Sequence, residues 1–310
     1  MEQTFVGIDV SKDRLDVHVR PSGEGFAVSR DGTGLEELVD RLQTLTPMLI
    51  AVEATGGFET IVAAAIGGAG LPLVVINPAQ VRHFAQAVGQ RAKTDPIDAE
   101  MIARFAEAVK PAPRPVPDEA ARLLGELVAR RRQIIEMLVA ERQREKRAGN
   151  RRVRKSLARH IKVLERELQQ LTDEIGDLIR ASPAWRETED LLVSVPGVAN
   201  NTSSSLLAEV PELGRLTRRR IASLVGVAPY TRQSGRWKGK SMIAGGRAAA
   251  RSAVFMAALT ASQHNPLLKT FYRRLLAAGK PKMVALIAVA RKLLVILNAM
   301  IRDKKPWQYA

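Results

Sequence analysis

Residues 5–11 read FVGIDVS and residues 48–57 read MLIAVEATGG, and each apolar run carries one carboxylate near its end. Short apolar runs closed by Ser or Gly are typical of buried strands. Asp9 therefore closes a first strand and Glu53 lies near the end of a fourth, with shorter strands at DRLDVHVR and GFAVSRD between them. Because a lone buried carboxylate is rare, Glu53 in particular calls for a functional explanation.

The rest of the first 117 residues alternates helix-like and strand-like patterns. Helical spacing is found at 33–45, 58–66, 80–88 and 96–109, and LPLVVINP at 71–78 is a further strand. The resulting order, β-β-β-α-β-α-β-α with the segments 80–88 and 96–109 together at the last α, predicts an α/β domain of the RNase H-like (RuvC-like) type, in which the first and fourth strands are neighbours. Prolines at 111, 113, 115 and 117 end this domain at residue 117.

Two further regions are predicted to be helical, so the fold class is α/β plus α. Residues 118–182 have an apolar seam at three- and four-residue steps, which predicts two long helices in a hairpin or a coiled-coil arm. Residues 183–310 form a mostly helical third domain, in which VPGV at 195–198 resembles the turn of a helix-hairpin-helix element that presents N–H groups to a phosphate. Helices are predicted at 248–263 and 283–302, joined to the preceding helix-hairpin-helix element through the loop TRQSGRWKGK at 231–240.

The net charge of +16 is distributed unevenly along the chain. Residues 1–117 carry −4, residues 118–212 carry +1 and residues 213–310 carry +19, with no carboxylate side chain between Glu212 and Asp303. Ordinary solvated surfaces mix their signs, so this one-signed stretch predicts a polyanionic partner, most commonly nucleic acid. The alternative is a basic but inert surface.

Composition also bears on the compartment. The chain has no cysteine, and its N-terminus shows no basic region ahead of an apolar run, as a signal peptide would. The apolar stretch 283–300 is interrupted by Arg291 and Lys292, which argues against a membrane span. We therefore expect a cytoplasmic protein with no membrane partner.

Four carboxylates are expected to meet at one end of the predicted sheet. Asp95 and Asp98 are three residues apart at the start of a helix, which places both on one face, and Asp9 and Glu53 end neighbouring strands. Such a cluster is costly unless cations neutralise it, and Mg²⁺ prefers oxygen ligands. Two such ions about 4 Å apart form the clamp used in phosphodiester chemistry. In the alternative interpretation, Asp9 caps the following turn and Asp95 is a helix N-cap.

Several motifs together resemble one known family. GIDVSKDRLDV, VEATGG, INPAQVRHFAQAVGQRAKTDPIDAEMIA, VGVAPYTRQSGRWKGK, HNPLLKTFYRRL and KMVALIAVARKLL follow one another along almost the whole chain. In this order they are similar to the insertion-sequence transposases with an Asp-Glu-Asp-Asp RuvC-like domain, which are relatives of Piv-type DNA invertases.

The resemblance implies an activity and a set of partners. Members of the family are serine recombinases guided by a structured non-coding bridge RNA that pairs with target and donor DNA. Their tetrad binds Mg²⁺, and a serine forms a covalent 5′-phosphoserine intermediate in a composite site between the protomers of a homodimer. Two dimers assemble into a tetramer for strand exchange. By motif match the tetrad falls on Asp9, Glu53, Asp95 and Asp98, and the nucleophile falls on Ser234.

The surroundings of Ser234 agree with this assignment. It lies in a predicted flexible loop together with Arg232, Arg236, Lys238 and Lys240, whose charges can hold a phosphate, and Arg247 is a further candidate for nucleic-acid binding. Because no carboxylate is close in sequence, the group that activates the serine is expected to come from the N-terminal domain of the same or another chain. The alternative is a simple turn serine.

Rival nucleophiles and functions remain open at this point. Ser241 is a rival nucleophile, but it lacks the following glycine that Ser234 has. A tyrosine mechanism through Tyr230 or Tyr272 would leave the acidic tetrad without a role. His264 is expected to pack or cap a helix end. The main alternative function is a two-metal nuclease of the Holliday-junction type, which needs no serine. An actin-like kinase or chaperone would carry a second copy of its acidic phosphate loop, and the stretch without carboxylates after Glu212 excludes such a copy in that part of the chain. A non-catalytic nucleic-acid-binding protein is a further alternative, and it would not need Asp9.

Overall fold

A computed structural model describes residues 3–90, 92, 94–113, 118–231, 233–239 and 241–308, without the side chains of Trp237 and Lys238. The chain divides into two compact units, residues 1–117 and 118–310. The further boundary expected at residue 182 stays a prediction.

A five-stranded mixed sheet forms the centre of the first unit. Its strands are β1 (Phe5–Val10), β2 (Arg14–Arg20), β3 (Gly25–Ser29), β4 (Leu49–Glu53) and β5 (Leu73–Ile76), in the spatial order β3-β2-β1-β4-β5. The first three strands are antiparallel neighbours, whereas β1, β4 and β5 run parallel. The succession of elements follows the predicted one, and β1 and β4 are neighbours as expected.

Helices cover both faces of this sheet, which explains the continuous apolar runs of its central strands. The helices are α1 (Gly32–Leu45), α2 (Glu59–Gly68), α3 (Pro78–Ala87) and α4 (Asp95–Val109). Leu38 of α1 and Ile66 of α2 pack with Ile8 on one face. Ile102 of α4 packs with Phe5 on the other face, the one to which Asp9 also belongs by strand alternation.

Gly7 allows α4 to lie directly on β1. A Cβ atom at this position would be 2.3 Å from the backbone nitrogen of Ala103 and 2.3 Å from the backbone oxygen of Ala99. Real Cβ atoms do not approach backbone this closely, so a side chain at residue 7 would force the helix away from the strand. This contact holds the first turn of α4 near the end of β1.

The second unit begins with two long helices, α5 (Glu119–Arg147) and α6 (Arg151–Ala181), joined by a short connection into a hairpin. The side chains of Asp118 and Asn150 cap their N-termini. At one end of the hairpin, Ile134 and Ile161 belong to a buried cluster. At the other end, a second cluster includes Trp185 as well as residues of both helices, so the hairpin packs on the helices that follow. A true coiled coil stays a prediction.

Six more helices surround the core of the second unit: α7 (Pro183–Val193), α8 (Asn200–Glu209), α9 (Arg218–Val225), α10 (Ala248–His264), α11 (Pro266–Ala277) and α12 (Lys282–Asp303). Gly197, in the turn between α7 and α8, has φ +104° and packs against Ala261 of α10, where a Cβ would lie 2.6 Å from the Ala261 Cα. This close packing accounts for the glycine of the helix-hairpin-helix-like turn, and its phosphate contact stays a prediction.

Two sequence-based expectations about helix ends need correction. The start of α11 is capped by the buried Asn265, whose side-chain oxygen accepts a hydrogen bond from the Leu268 N–H at 3.2 Å. His264 is exposed and therefore does not pack against the core, whereas its expected role in capping the helix end stays a prediction. The helix α11 itself was not among the predicted elements, although Asn265-Pro266 is a typical N-cap and first-turn pair.

The helix α12 is long and apolar enough to cross a membrane by length and composition alone. Half of its apolar window is buried within the unit, and Leu293, Leu294 and Leu297 are fully inaccessible to solvent in the C-terminal core. This burial is typical of a helix that belongs to the core of the unit.

Candidate active site

Three carboxylates converge at the end of β1. Oxygen atoms of Asp9, Asp95 and Asp98 all lie within 4.8 Å of one another. Asp9 comes from the strand, while Asp95 and Asp98 occupy the first turn of α4, which Gly7 brings close to β1. The tertiary structure thus brings together three of the four predicted acidic residues.

Glu53 lies beside this group. The parallel register of β1 and β4 ends at Ile8 opposite Val52, and Asp9 and Glu53 are the next residue on each strand. The two carboxylates are close enough for Glu53 to raise the pKa of Asp9. The other three predicted residues therefore all act electrostatically on Asp9 at this edge of the sheet.

The pKa of Asp9 is raised from its ordinary value of 3.8 to about 6. Burial is the largest cause, followed by the negative charges of Asp98, Glu53 and Asp95, while the N–H of Val10 opposes the shift by donating to the carboxylate. The ionised cluster is therefore costly by itself, and a divalent cation would offset this repulsion. A half-buried set of oxygen ligands is the donor set that such ions prefer.

The alternative roles considered for these residues find less support. Thr94 is the N-cap of α4, so Asp95 lies inside the first turn and not at the cap. The turn after β1 is closed by Ser11, whose hydroxyl donates to the carbonyl of Arg14 at 2.8 Å, and not by Asp9. Helix-dipole stabilisation remains a structural benefit of Asp95 and Asp98.

A fifth carboxylate, Asp16, lies opposite Asp9 in the antiparallel register of β1 and β2. Its side chain is only 4% exposed, and it accepts hydrogen bonds from both the Nε and Nη2 atoms of Arg14, the shortest at 2.7 Å. Asp16 was not among the predicted site residues. The alternation in RLDVHVR contained the signal, because Asp16 occupies the face of β2 opposite to that of Leu15 and Val17.

Ser234 occupies an exposed hairpin in the second unit. Strands β7 (Gln233–Ser234) and β8 (Trp237–Lys238) pair with Ser234 opposite Trp237, and Gly235-Arg236 forms the turn between them. Gly235 has φ +56°, which suits the first central position of a two-residue hairpin turn. Where the sequence predicted a flexible loop, the structure therefore has a short hairpin, because the glycine permits a tight turn.

The segment that carries this hairpin is closed at its base. Two further short strands, β6 (Pro229–Tyr230) and β9 (Met242–Ile243), pair on either side of it. At its ends the backbones of Gly226 and Gly246 touch, so that a Cβ at Gly246 would lie 2.4 Å from the Gly226 nitrogen. These glycines hold the two ends of the segment together.

The basic residues expected around Ser234 have different surroundings. Arg232 and Lys240 lie outside the described residues, as does the side chain of Lys238, and Arg236 is exposed in the turn. Arg247 is half-buried and donates to both the carboxylate of Glu212, at 2.7 Å through Nη2, and the carbonyl of Glu209. Arg247 therefore has a structural role within the unit, and its contact with nucleic acid stays a prediction.

The rival nucleophiles are also placed. Ser241 is exposed, as Ser234 is, and Tyr230 is exposed on β6. Tyr272 is partly buried against the C-terminal core.

Comparison with known proteins identifies the family. Residues 6–148 match a family described as Transposase, of the DEDD type found in IS110, and residues 189–273 match one described as Transposase IS116/IS110/IS902 family. The two matches cover the acidic cluster and the Ser234 hairpin, respectively. The chain belongs to the IS110 family of transposases. Because this is a DEDD family, the transposase uses a divalent metal ion, and its activity is that of a DNA recombinase.

Several relatives resemble the transposase along part or all of its length. The pilin gene-inverting proteins of Moraxella bovis and Moraxella lacunata are each 28% identical over 99% of this chain and 98% of their own. An uncharacterised 43.6 kDa protein of insertion element IS110 from Streptomyces coelicolor is 32% identical over 48% of this chain and 36% of its own. The resemblance to the inverting proteins thus extends through both units.

The raised pKa of Asp9 predicts how metal binding by the transposase depends on pH. Because the proton and the cation compete for this carboxylate, Mn²⁺ affinity should rise about tenfold between about pH 5 and about pH 7. Isothermal titration calorimetry across this range measures the effect. In Asp9→Asn the binding should be weaker and the dependence on pH flatter. An affinity of the wild-type protein that is constant over this range would contradict the assignment of Asp9 as a ligand.

Proposed function

We propose that this transposase cuts and rejoins DNA through a covalent 5′-phosphoserine intermediate on Ser234, assisted by Mg²⁺ at Asp9, Glu53, Asp95 and Asp98 and guided by a bridge RNA. One observation carries the proposal. Among the described residues, the acidic cluster and the exposed serine lie in different units, and the serine belongs to a stretch without any carboxylate. The first unit would supply the carboxylates that hold the metal, and the second unit would supply the serine nucleophile.

The four acidic residues would hold the metal. When bound, Mg²⁺ supplies Lewis-acid stabilisation of the charge that develops on phosphate oxygens. The chain's own contribution is to keep four carboxylates together on two strand ends and one helix turn, at the cost seen in the raised pKa of Asp9. The charge balance of the cluster thus favours a cation over an empty site at neutral pH.

The proposed chemistry at Ser234 is a pair of transesterifications. The Oγ atom attacks a DNA phosphorus, the bond to the 3′ oxygen breaks, and the serine gives up a proton while the departing 3′ oxygen takes one up. The 5′ phosphate is then esterified to the serine. A 3′-hydroxyl of another strand next attacks this phosphorus, the bond to Oγ breaks, and the serine recovers its proton. One phosphoester replaces another at each step, so no external energy source is needed.

The partners follow from the same arrangement. The segment 213–302, without carboxylates, suits the DNA backbone, and the basic middle of the α5–α6 hairpin suits RNA and assembly. Sequence recognition by base pairing to a bridge RNA would need only backbone contacts from the protein. A homodimer that assembles into a tetramer would allow the acidic cluster of one protomer to serve the serine of another.

A denaturing-gel assay for a covalent protein–DNA adduct tests the proposal. Wild-type protein purified with its bound RNA is incubated with labelled DNA and Mg²⁺. The adduct should form, and it should vanish in Ser234→Ala, in Asp9→Ala and after RNase treatment. Ser241→Ala, which removes another exposed serine of the same segment, should retain it.

Three outcomes would overturn parts of this proposal. Cleavage without any adduct, persisting in Ser234→Ala but lost in Asp9→Ala, would exclude the serine mechanism and leave the two-metal nuclease as the function. An adduct that survives Ser234→Ala but is lost in Tyr230→Phe would assign the nucleophile to a tyrosine. An adduct that is insensitive to RNase would exclude RNA guidance while leaving the serine chemistry in place.

A further inference from the structure

Two large apolar side chains form an exposed pair next to the Ser234 hairpin. Tyr230 on β6 and Met242 on β9 are direct cross-strand partners. Tyr230 is 48% exposed and Met242 is 69% exposed, so the pair does not shield itself from water. Cross-strand partners have their side chains on the same face of the ladder, so the two form one apolar surface.

This surface adjoins a basic helix. The hydroxyl of Tyr230 lies 3.4 Å from that of Ser223, on the exposed side of α9. Arg219 and Arg220 are also exposed and precede Ser223 by four and three residues, which places them on the same side of the helix. The hydroxyl end of Tyr230 therefore meets the side of α9 that carries these two arginines, in a segment whose sequence contains no carboxylate.

From this arrangement, and resting on the proposed function, we propose that Tyr230 and Met242 form a stacking surface for an unpaired nucleobase of the DNA bound by the second unit. Arg219 and Arg220 hold the adjoining phosphates. Basic grooves with interleaved aromatic side chains bind unstacked bases in this way, because every base has an apolar face. A lone apolar patch would suit many partners, but one next to arginines for which the described residues show no salt bridge, in a segment whose sequence has no carboxylate, suits a polyanion with apolar faces.

The position of the surface suits strand exchange. Ser234 is the fourth residue after Tyr230, and four residue steps span at most about 14 Å. The stacked base would thus lie within about four nucleotides of the phosphate that the serine attacks. Exchanging strands requires base pairs next to the cut to open, and a stacking surface would lower the cost of holding one base out of the helix.

Binding to three matched DNA duplexes tests this inference. One duplex is fully paired, the second carries a single bulged adenine and the third carries an abasic bulge at the same place. Wild-type protein should bind the adenine bulge about fivefold or more tightly than the abasic bulge. Tyr230→Ala should abolish this preference and leave the affinity for the paired duplex and its salt dependence unchanged. Tyr230→Phe should retain the preference, because the ring and not the hydroxyl provides stacking.

A matched control is available in the same unit. Met283 on α12 is 61% exposed and belongs to the same acid-free segment, so Met283→Ala should leave the preference intact, whereas Met242→Ala should reduce it. Equal weakening on all three duplexes in Tyr230→Ala, or no adenine preference in the wild type, would overturn the stacking role while leaving the proposed function intact. Failure to bind any of the duplexes would contradict both.

Discussion

Replacing Asp9 with asparagine should make the metal-free transposase more stable at neutral pH while removing its metal-dependent activity. The pKa of Asp9 is raised to about 6 in the native state, whereas the unfolded chain has the ordinary value of 3.8. Ionising this group therefore costs the native state free energy. The penalty grows as pH rises from about 4 to about 6 and is fully present above that range.

The expected gain in stability is about 1–2 kcal/mol at about pH 7.5, after a discount for partial solvent screening. It should disappear at about pH 4, where the wild-type carboxyl is protonated in both states. Urea denaturation in the presence of EDTA at the two pH values measures it. In Mg²⁺, DNA strand cleavage should fall by about a hundredfold or more, because the metal loses a ligand next to the reacting phosphate.

Asp13→Asn is the matched control for this prediction. Asp13 is an exposed carboxylate in the turn that follows β1, so its replacement should change stability by less than about 0.5 kcal/mol. A lower stability of Asp9→Asn in EDTA at neutral pH would mean that the carboxylate supports the fold, and the interpretation of the cluster as a strained ligand set would then be wrong.

Introducing a side chain at Gly7 should have two effects: it should destabilise the protein, and it should separate the carboxylates of the acidic cluster. A Cβ atom would meet the backbone of α4 at 2.3 Å at two points, so the helix must move off β1. Overpacking against rigid backbone costs about 3 kcal/mol or more. Asp95 and Asp98 belong to the first turn of the displaced helix, so the carboxylates should separate and Mn²⁺ binding should be lost.

Thermal unfolding and Mn²⁺ titration of Gly7→Ala and Gly7→Val provide the measurement, and the smaller substitution keeps the test informative if the larger one does not fold. Gly25→Ala is the matched control, because a Cβ at this strand glycine would meet nothing closer than 3.8 Å. A Gly7→Ala protein that unfolds and binds metal as the wild type does would show that α4 is not held in this way.

Some of the fold could be predicted because its signals are local. The apolar runs of β1, β4 and β5 reflect a sheet that is covered on both faces, and the apolar seam of residues 118–182 indicated the two long helices α5 and α6. The two-residue strands β6 to β9 are too short for any periodicity to reveal. They formed because Gly235 permits a tight turn and because Gly226 and Gly246 close the segment.

The candidate site likewise contains residues that could be predicted from the sequence and residues that could not. The carboxylates at Asp9, Glu53, Asp95 and Asp98 were evident from their positions at predicted strand and helix ends. Asp16 was overlooked because its alternation with Leu15 and Val17 is also that of an ordinary surface residue of a strand, whereas the structure buries it in an ion pair with Arg14. Arg247 was expected to bind nucleic acid, but the sequence does not reveal that its guanidinium group forms an ion pair with Glu212.

By itself, the sequence determined the order of elements in the N-terminal unit, the positive charge of residues 213–302, which contain no carboxylate side chain, and the types of residue available for chemistry. These properties depend on composition and on near neighbours along the chain. Only the tertiary structure decided that α4 touches β1 at Gly7, that three carboxylates meet within 4.8 Å and that the pKa of Asp9 is about 6. Such features depend on close packing and burial between residues far apart in sequence, and no local pattern encodes them.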